Sequence, residues 1–251
     1  MALLKTSNPV FRASVYRGQG MQAAYGETMT IDGTIHRTGI LLVCVLATAL
    51  WTWSQFLSTR DPASVGIPIL IGVFGGLIMA LVTCFKKEWS PVTAPIYALL
   101  EGLFLGGVSA IMEVKYPGIA IQSVGLTFGV CFCMLAAYRT GLIQATRRFT
   151  IGVVAATGGI CLFYFVTMLL GFFGIGVPGV FGGGPVGVLF SLFVVAIAAL
   201  NLVLNFNFIE QGVEQGAPKY MEWYGAFGLV VTLVWLYLEI LRLLGKLRGR
   251  R

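Results

Sequence analysis

Three carboxylates lie in or beside long apolar runs of this chain: Glu101, Glu239 and Glu210. A charged group in the middle of a bilayer costs roughly 3 kcal/mol or more on insertion scales, so it turns toward a bundle interior or a wet cavity. In such a place a carboxylate can hold a cation or exchange a proton. Three asparagines close the sixth apolar run, in "AALNLVLNFNFIEQG": Asn201, Asn205 and Asn207. Their amides are expensive to leave unpaired in lipid. Asn201 and Asn205 are four residues apart and share a helix face, where they either hydrogen-bond across helices or offer carbonyl oxygens to a cation.

Glu239 stands in the last run, "LVVTLVWLYLEILRLL". At about 100° per residue, Gly225, Gly228, Thr232 and Trp235 fall in a narrow sector around it, and Val230, Val231, Val234 and Leu241 fall elsewhere. That small and polar face is the one expected to pack inward. Arg242 follows at a spacing that allows pairing. Two readings remain open: a buried functional carboxylate, or one near the far interface that reaches water and neutralises Arg242. Glu101, in "PIYALLEGLFLGG", shares its face with Tyr97, Ala98, Phe104, Leu105 and Val108. Burial against a polar partner is expected there, for structure or for an ion path. Glu210 is expected at the mouth of the sixth run.

Catalytic signatures are missing. No HExxH, P-loop or nucleophile elbow occurs. His36 is the only histidine and falls at the start of a span. Cys44, Cys84, Cys131, Cys133 and Cys161 all lie inside apolar runs, which argues against disulfides or a zinc site. The glycine-rich "GFFGIGVPGVFGGGP" joins two spans and lacks the strand–turn–helix setting of a phosphate loop. A non-enzyme without cofactor or resident metal is expected.

The elements that position these residues follow from composition. The chain is 57% hydrophobic and 11% charged, against roughly 25% charged in soluble domains. A lipid bilayer is its expected solvent. Seven apolar stretches run at about 39–56, 66–85, 92–112, 118–138, 151–174, 184–208 and 221–244, each near the ~20 residues that span a bilayer. An all-α, polytopic membrane protein of seven transmembrane helices follows, with short links forcing neighbouring helices together. The chain divides into a polar arm, residues 1–35, and a transmembrane domain with a short basic tail, residues 36–251. Small residues recur at packing spacing: Gly72, Gly76 and Ala80; Gly102, Gly106 and Ala110; Gly152 and Ala156.

The net charge of +7 reads as topology rather than nucleic-acid binding, because the cations fall between runs and at the ends. Lys5, Arg12, Arg17, Arg37, Lys86, Lys87, Arg139, Arg147, Arg148 and Lys219 lie on the N-terminal side. Only Arg60 and Lys115 lie opposite, apart from the tail residues Arg242, Lys246, Arg248, Arg250 and Arg251. The positive-inside rule then makes the N-terminus cytoplasmic. Seven crossings put the basic tail outside, against the same rule, so either the first spans dominate or the last segment re-enters; seven crossings are expected.

In order and spacing, "YGETMTIDGTIHRTGILL", "IYALLEGLFLGGVS", "NFNFIEQG" and "LVWLYLEILRLL" resemble the Bax inhibitor/YccA-like family of integral membrane proteins. The polar "SNPVF" opening is similar to its bacterial branch. The resemblance implies six helices wrapped around a central seventh, and a bacterial inner-membrane location. It implies a pH-sensitive calcium leak governed by an acid at the end of the sixth helix and another in the seventh. Glu239 matches the second acid. Asn207 stands where the first is expected, and Glu210 where a glutamine is expected. Two adjacent carboxylates share a proton, and an Asn–Glu pair does not. Glu239 would also lie about 27 Å along the last helix from its start, far from Glu210. The second run lacks the arginine that the family places there. Some relatives instead restrain membrane-bound AAA proteases, a role in which the polar arm would supply the contact.

Overall fold

The computed structural model describes residues 27–174, 180 and 182–249. Seven helices order it: α1 (Ile31–Thr59), α2 (Gly66–Phe85), α3 (Ser90–Lys115), α4 (Ile119–Arg139), α5 (Arg147–Phe172), α6 (Pro185–Glu214) and α7 (Met221–Arg248). All seven are long and apolar enough to cross a membrane, α2 and α3 being preceded by 3-10 turns at Pro62–Val65 and Lys87–Trp89. The seven expected spans are therefore all present, in order. A protease contact through the arm rests mostly on residues 1–26, which lie outside the described residues.

Local chemistry sets the helix ends. Thr30 caps α1, its hydroxyl accepting from Gly33 N at 3.0 Å. The helix thus reaches back into the arm that the sequence reading drew to residue 35. Thr146 caps α5 in the same way, through Phe149 N. Proline in the first turn starts α3 and α6, where no intrahelical N–H partner is required. Gly118, at φ 81°, turns the chain from α3 into α4.

The last helix lies inside the bundle. Half of its span is buried, the largest share of any. It packs along α1, α3, α4 and α6. This is narrower than six helices wrapped evenly around one: α2 lies outside against α3, and α5 packs mainly on α6. The main core joins Leu41, Tyr97, Leu105, Phe227, Val230 and Leu241. A second joins Leu202 of α6 to Leu233, Leu236 and Ile240 of α7.

Close helix approach explains two of the three small-residue rows. A Cβ on Gly102 would fall 2.0 Å from Thr48 Oγ1 and 2.3 Å from Val45 O; one on Gly106 would fall 2.3 Å from Ala49 O. A Cβ on Gly72 would fall 2.7 Å from the α3 backbone at Leu100 O and Phe104 N. The third row differs, since Gly152 has nothing within 4 Å of a built Cβ. Gly102→Ala is therefore expected to destabilise the detergent-solubilised protein by about 1–3 kcal/mol, because backbone must shift. Gly129→Ala, into open space, should leave the melting temperature within a degree or two or raise it slightly. Thermal melts of the two variants check the pair.

Candidate functional site

Polar groups on α5, α6 and α7 form a seam that crosses the bundle. At the N-terminal side of the bundle is a polar cavity of about 500 Å³, lined by Tyr138, Arg139, Gln144, Thr146, Asn207 and Glu210. The Tyr138 hydroxyl donates to Glu210 Oε2. Gln211 reaches Asn207 Oδ1 at 3.4 Å, within the same helix. Two residues deeper than Asn207, Asn205 Nδ2 donates to Thr232 Oγ1 at 2.7 Å and Gly228 O at 3.3 Å, tying α6 to α7. Next, Asn201 Nδ2 donates to Thr157 Oγ1 of α5 at 2.8 Å and to Ile197 O at 2.8 Å. The Asn201 and Asn205 amides thus serve as interhelical bonds.

An apolar plug interrupts the seam. Ile160 of α5 and Val194 and Ile197 of α6 pack together, with Trp235 of α7, Tyr164 and Phe190 against them. Phe163 and Phe190 have ring centroids 5.2 Å apart, and Tyr164 meets Phe190 edge-on at 6.2 Å. A stretch closed by such side chains excludes water, which is how apolar constrictions stop ions.

Beyond the plug is the Glu239 cluster. Glu239 is 2% exposed, and its Oε1 accepts from the Tyr164 hydroxyl at 3.0 Å. Arg242 Nη1 reaches both carboxylate oxygens, at 2.8 and 3.0 Å, and donates to the Tyr164 oxygen at 2.8 Å. The arginine is itself 42% exposed and lies over the Tyr164 ring. The two sequence readings thus combine: the carboxylate is buried and the arginine makes the reach outward. One turn on, Lys246 is buried and donates to Val180 O, Gly187 O and Ser191 Oγ at 2.8 to 3.0 Å. From sequence it counted only as a tail charge.

The remaining sequence candidate sits elsewhere. Glu101 is half-buried on α3 and faces α2, where a Cβ on Gly76 would come 2.9 Å from its Oε2. Among the described residues the expected polar partner is not found: Glu101 makes no hydrogen bond or ion pair. Glu210 and Asn207 occupy the mouth, whereas Glu239 lies about 27 Å along α7 from Met221 at 1.5 Å per residue. No paired-acid site joins them.

The acid that sequence reasoning missed is Glu222, in the first turn of α7 and 0% exposed. Its Oε1 accepts from Thr30 N at 3.0 Å and Thr30 Oγ1 at 2.8 Å, and lies 3.1 Å from Lys219 Nζ. Arg37 Nε stands 3.9 Å from Oε2 and stacks on Trp223. The carboxylate therefore meets the N-termini of both α1 and α7, where helix dipoles favour a negative charge. Alongside, Met29 N donates to Ala217 O and Lys219 N to Glu27 O, which fastens the chain entering α1 to the α6–α7 turn. The available signal was the i,i+3 spacing of Lys219 and Glu222 at a span edge.

Among the described residues no three of His, Cys, Asp and Glu converge to hold a metal ion. From one end to the other the arrangement is a polar cavity, interhelical amide and hydroxyl bonds, an apolar cluster and a buried ion pair. α5 is the loosest of the three walls, with only Val153 and Ile160 buried. Compared with known proteins, residues 8–249 match a family model described as Bax inhibitor 1 like. No curated protein and no solved structure matches the chain.

Proposed function

Taking as premise that the chain belongs to the Bax inhibitor 1 like family, we propose that this multi-pass membrane protein is a pH-sensitive cation leak, captured closed. The observation that carries the reading is the seam itself: polar side chains above and below one apolar plug, with the buried Glu239 latched by Arg242 and Tyr164. Calcium is the ion proposed, after the family resemblance. Opening separates Arg242 from Glu239. Tyr164 then loses its Arg242 donor, and α5, held mainly by α6, swings from the plug. Water and a hydrated cation pass between the mouth at Glu210 and the far end near Ser191. The protein performs no chemistry on its cargo and uses no cofactor. Charge asymmetry supports a cytoplasmic N-terminus, and the likeness to the bacterial branch supports the inner membrane.

The test is calcium uptake by proteoliposomes carrying an internal calcium dye. Purified protein should raise uptake above empty vesicles, more at acid than at neutral pH. Folded protein that gives no uptake above empty vesicles at any pH contradicts the reading.

A further inference from the structure

A second cavity lies apart from the seam, on the opposite face of α7. It has a volume of about 390 Å³ and is walled by α1, α3, α4 and α7. Its lining is almost wholly apolar, from Val45 and Trp53 of α1 through Leu105 of α3 to Val124 and Phe128 of α4. At its floor the Ser109 and Tyr237 hydroxyls satisfy each other at 2.6 Å. Such a lining holds no water, which needs several polar partners. An apolar cavity of ~150 Å³ accommodates a benzene-sized guest, so this one takes a much longer hydrocarbon.

Its depth matches one leaflet. Ala120 and Phe128 both line it, eight residues apart on α4, so it extends about 12 Å from the α3–α4 turn at 1.5 Å per residue. Half of a ~30 Å hydrocarbon core is ~15 Å. Leu46 and Leu50 of α1 and Ile121 and Phe128 of α4 are exposed at the mouth, so the opening faces bilayer. Two cations lie at the same end of the bundle, beside the α3–α4 turn. Lys115 is exposed beside Tyr116, and Arg248 is held by Pro117 O and Gln122 Oε1. The one acid there, Glu113, is occupied by the Gly118 and Ala120 backbone N–H groups. A headgroup phosphate at this interface would meet the cations.

We propose that this cavity binds one acyl chain of a phospholipid from the leaflet at the C-terminal end of α7, its phosphate held between Lys115 and Arg248. Trp53, on the cavity wall, supplies a reporter. Phosphatidylglycerol brominated along one chain is titrated into detergent-solubilised protein. The quenching due to Trp53 is the difference between wild type and Trp53→Phe. Saturable quenching is expected. Val124→Phe, which fills the cavity, should weaken it by about tenfold or more, equivalent to 1.4 kcal/mol. Lys115→Gln should reduce the preference for phosphatidylglycerol over phosphatidylcholine, and this conservative surface change keeps the test alive if Val124→Phe does not fold. Quenching that rises linearly without saturation, or saturates identically in Val124→Phe, overturns the proposal. The cavity shares no lining residue with the seam, so either outcome is independent of the leak.

Discussion

Glu239→Gln is expected to leak at neutral pH and to lose most of its response to acid. The glutamine keeps the shape of the side chain and an acceptor for Tyr164, but it removes the charge that holds Arg242 at 2.8 and 3.0 Å. Among the described residues Glu239 is the one carboxylate paired with Arg242, and the variant leaves Arg242 and Lys246, one turn apart on α7, without it. Breaking a fully buried pair costs several kcal/mol. Arg242 is 42% exposed, so solvent screens much of that, and a shift of about 1–2 kcal/mol in the gate is the reasonable scale. A shift of that size raises a sparsely open state by about tenfold. The sign follows from the latch: the leak is low where the Glu239–Arg242 pair is intact and rises where it is broken. The variant lacks that charged pair at every pH. Calcium uptake at four or five pH values measures both the level and the slope. A wild-type profile from the variant removes Glu239 from the gate.

Glu222→Ala should give the largest loss of stability. The carboxylate is 0% exposed, accepts from the Thr30 backbone and hydroxyl, and pairs with Lys219. Truncation strands those donors and leaves a void at the junction of two helix N-termini. The cationic partners are about a third exposed, so the expected cost is about 2–3 kcal/mol rather than that of a fully buried pair. Gly33 sharpens the case: a Cβ there would lie 2.0 Å from Glu222 Oε1, so the turn is built around this side chain. The observable consequence is local. The segment from Glu27 to Thr30 should become a protease site, together with a fall in melting temperature. Glu222→Gln, which keeps an acceptor, should lie between wild type and Ala. Equal melting temperatures and cleavage patterns for all three would show that the junction is held by the Met29–Ala217 and Lys219–Glu27 backbone bonds instead.

The spans were legible because lipid imposes a length and a composition that few other constraints override. Glu239 was placed on an inward face by angular position alone, and its Arg242 partner by spacing, since both lie on one helix. Tyr164 was not legible. It arrives from α5, and the register of one helix against another is not written in the periodicity of either. Lys246 was read as a topological charge because the sequence does not show that Val180 and the first turns of α6 bring oxygens to its ammonium. Glu222 was overlooked for its place, one residue inside a span, where an acid looks like ordinary interface. Asn207 and Glu210 were found as polar residues, but their meeting with Tyr138 depends on α4 and α6 lying side by side, which the fold alone reveals.

In the proposed leak, the α5–α6–α7 seam becomes wet when the protein opens. Thr232 is the place to ask, being 8% exposed and bonded to Asn205 on the mouth side of the plug. In protein whose five native cysteines are replaced, Thr232→Cys is reconstituted and treated with a cationic thiol reagent. Leu162→Cys, which is 63% exposed on the lipid face of α5, serves as the control. The account predicts rapid modification of Thr232→Cys at acid pH, slow modification at neutral pH, a block of calcium uptake once modified, and no reaction at Leu162→Cys. A Thr232→Cys thiol that stays unreactive at acid pH while calcium uptake proceeds would contradict it, and would place the path outside this seam.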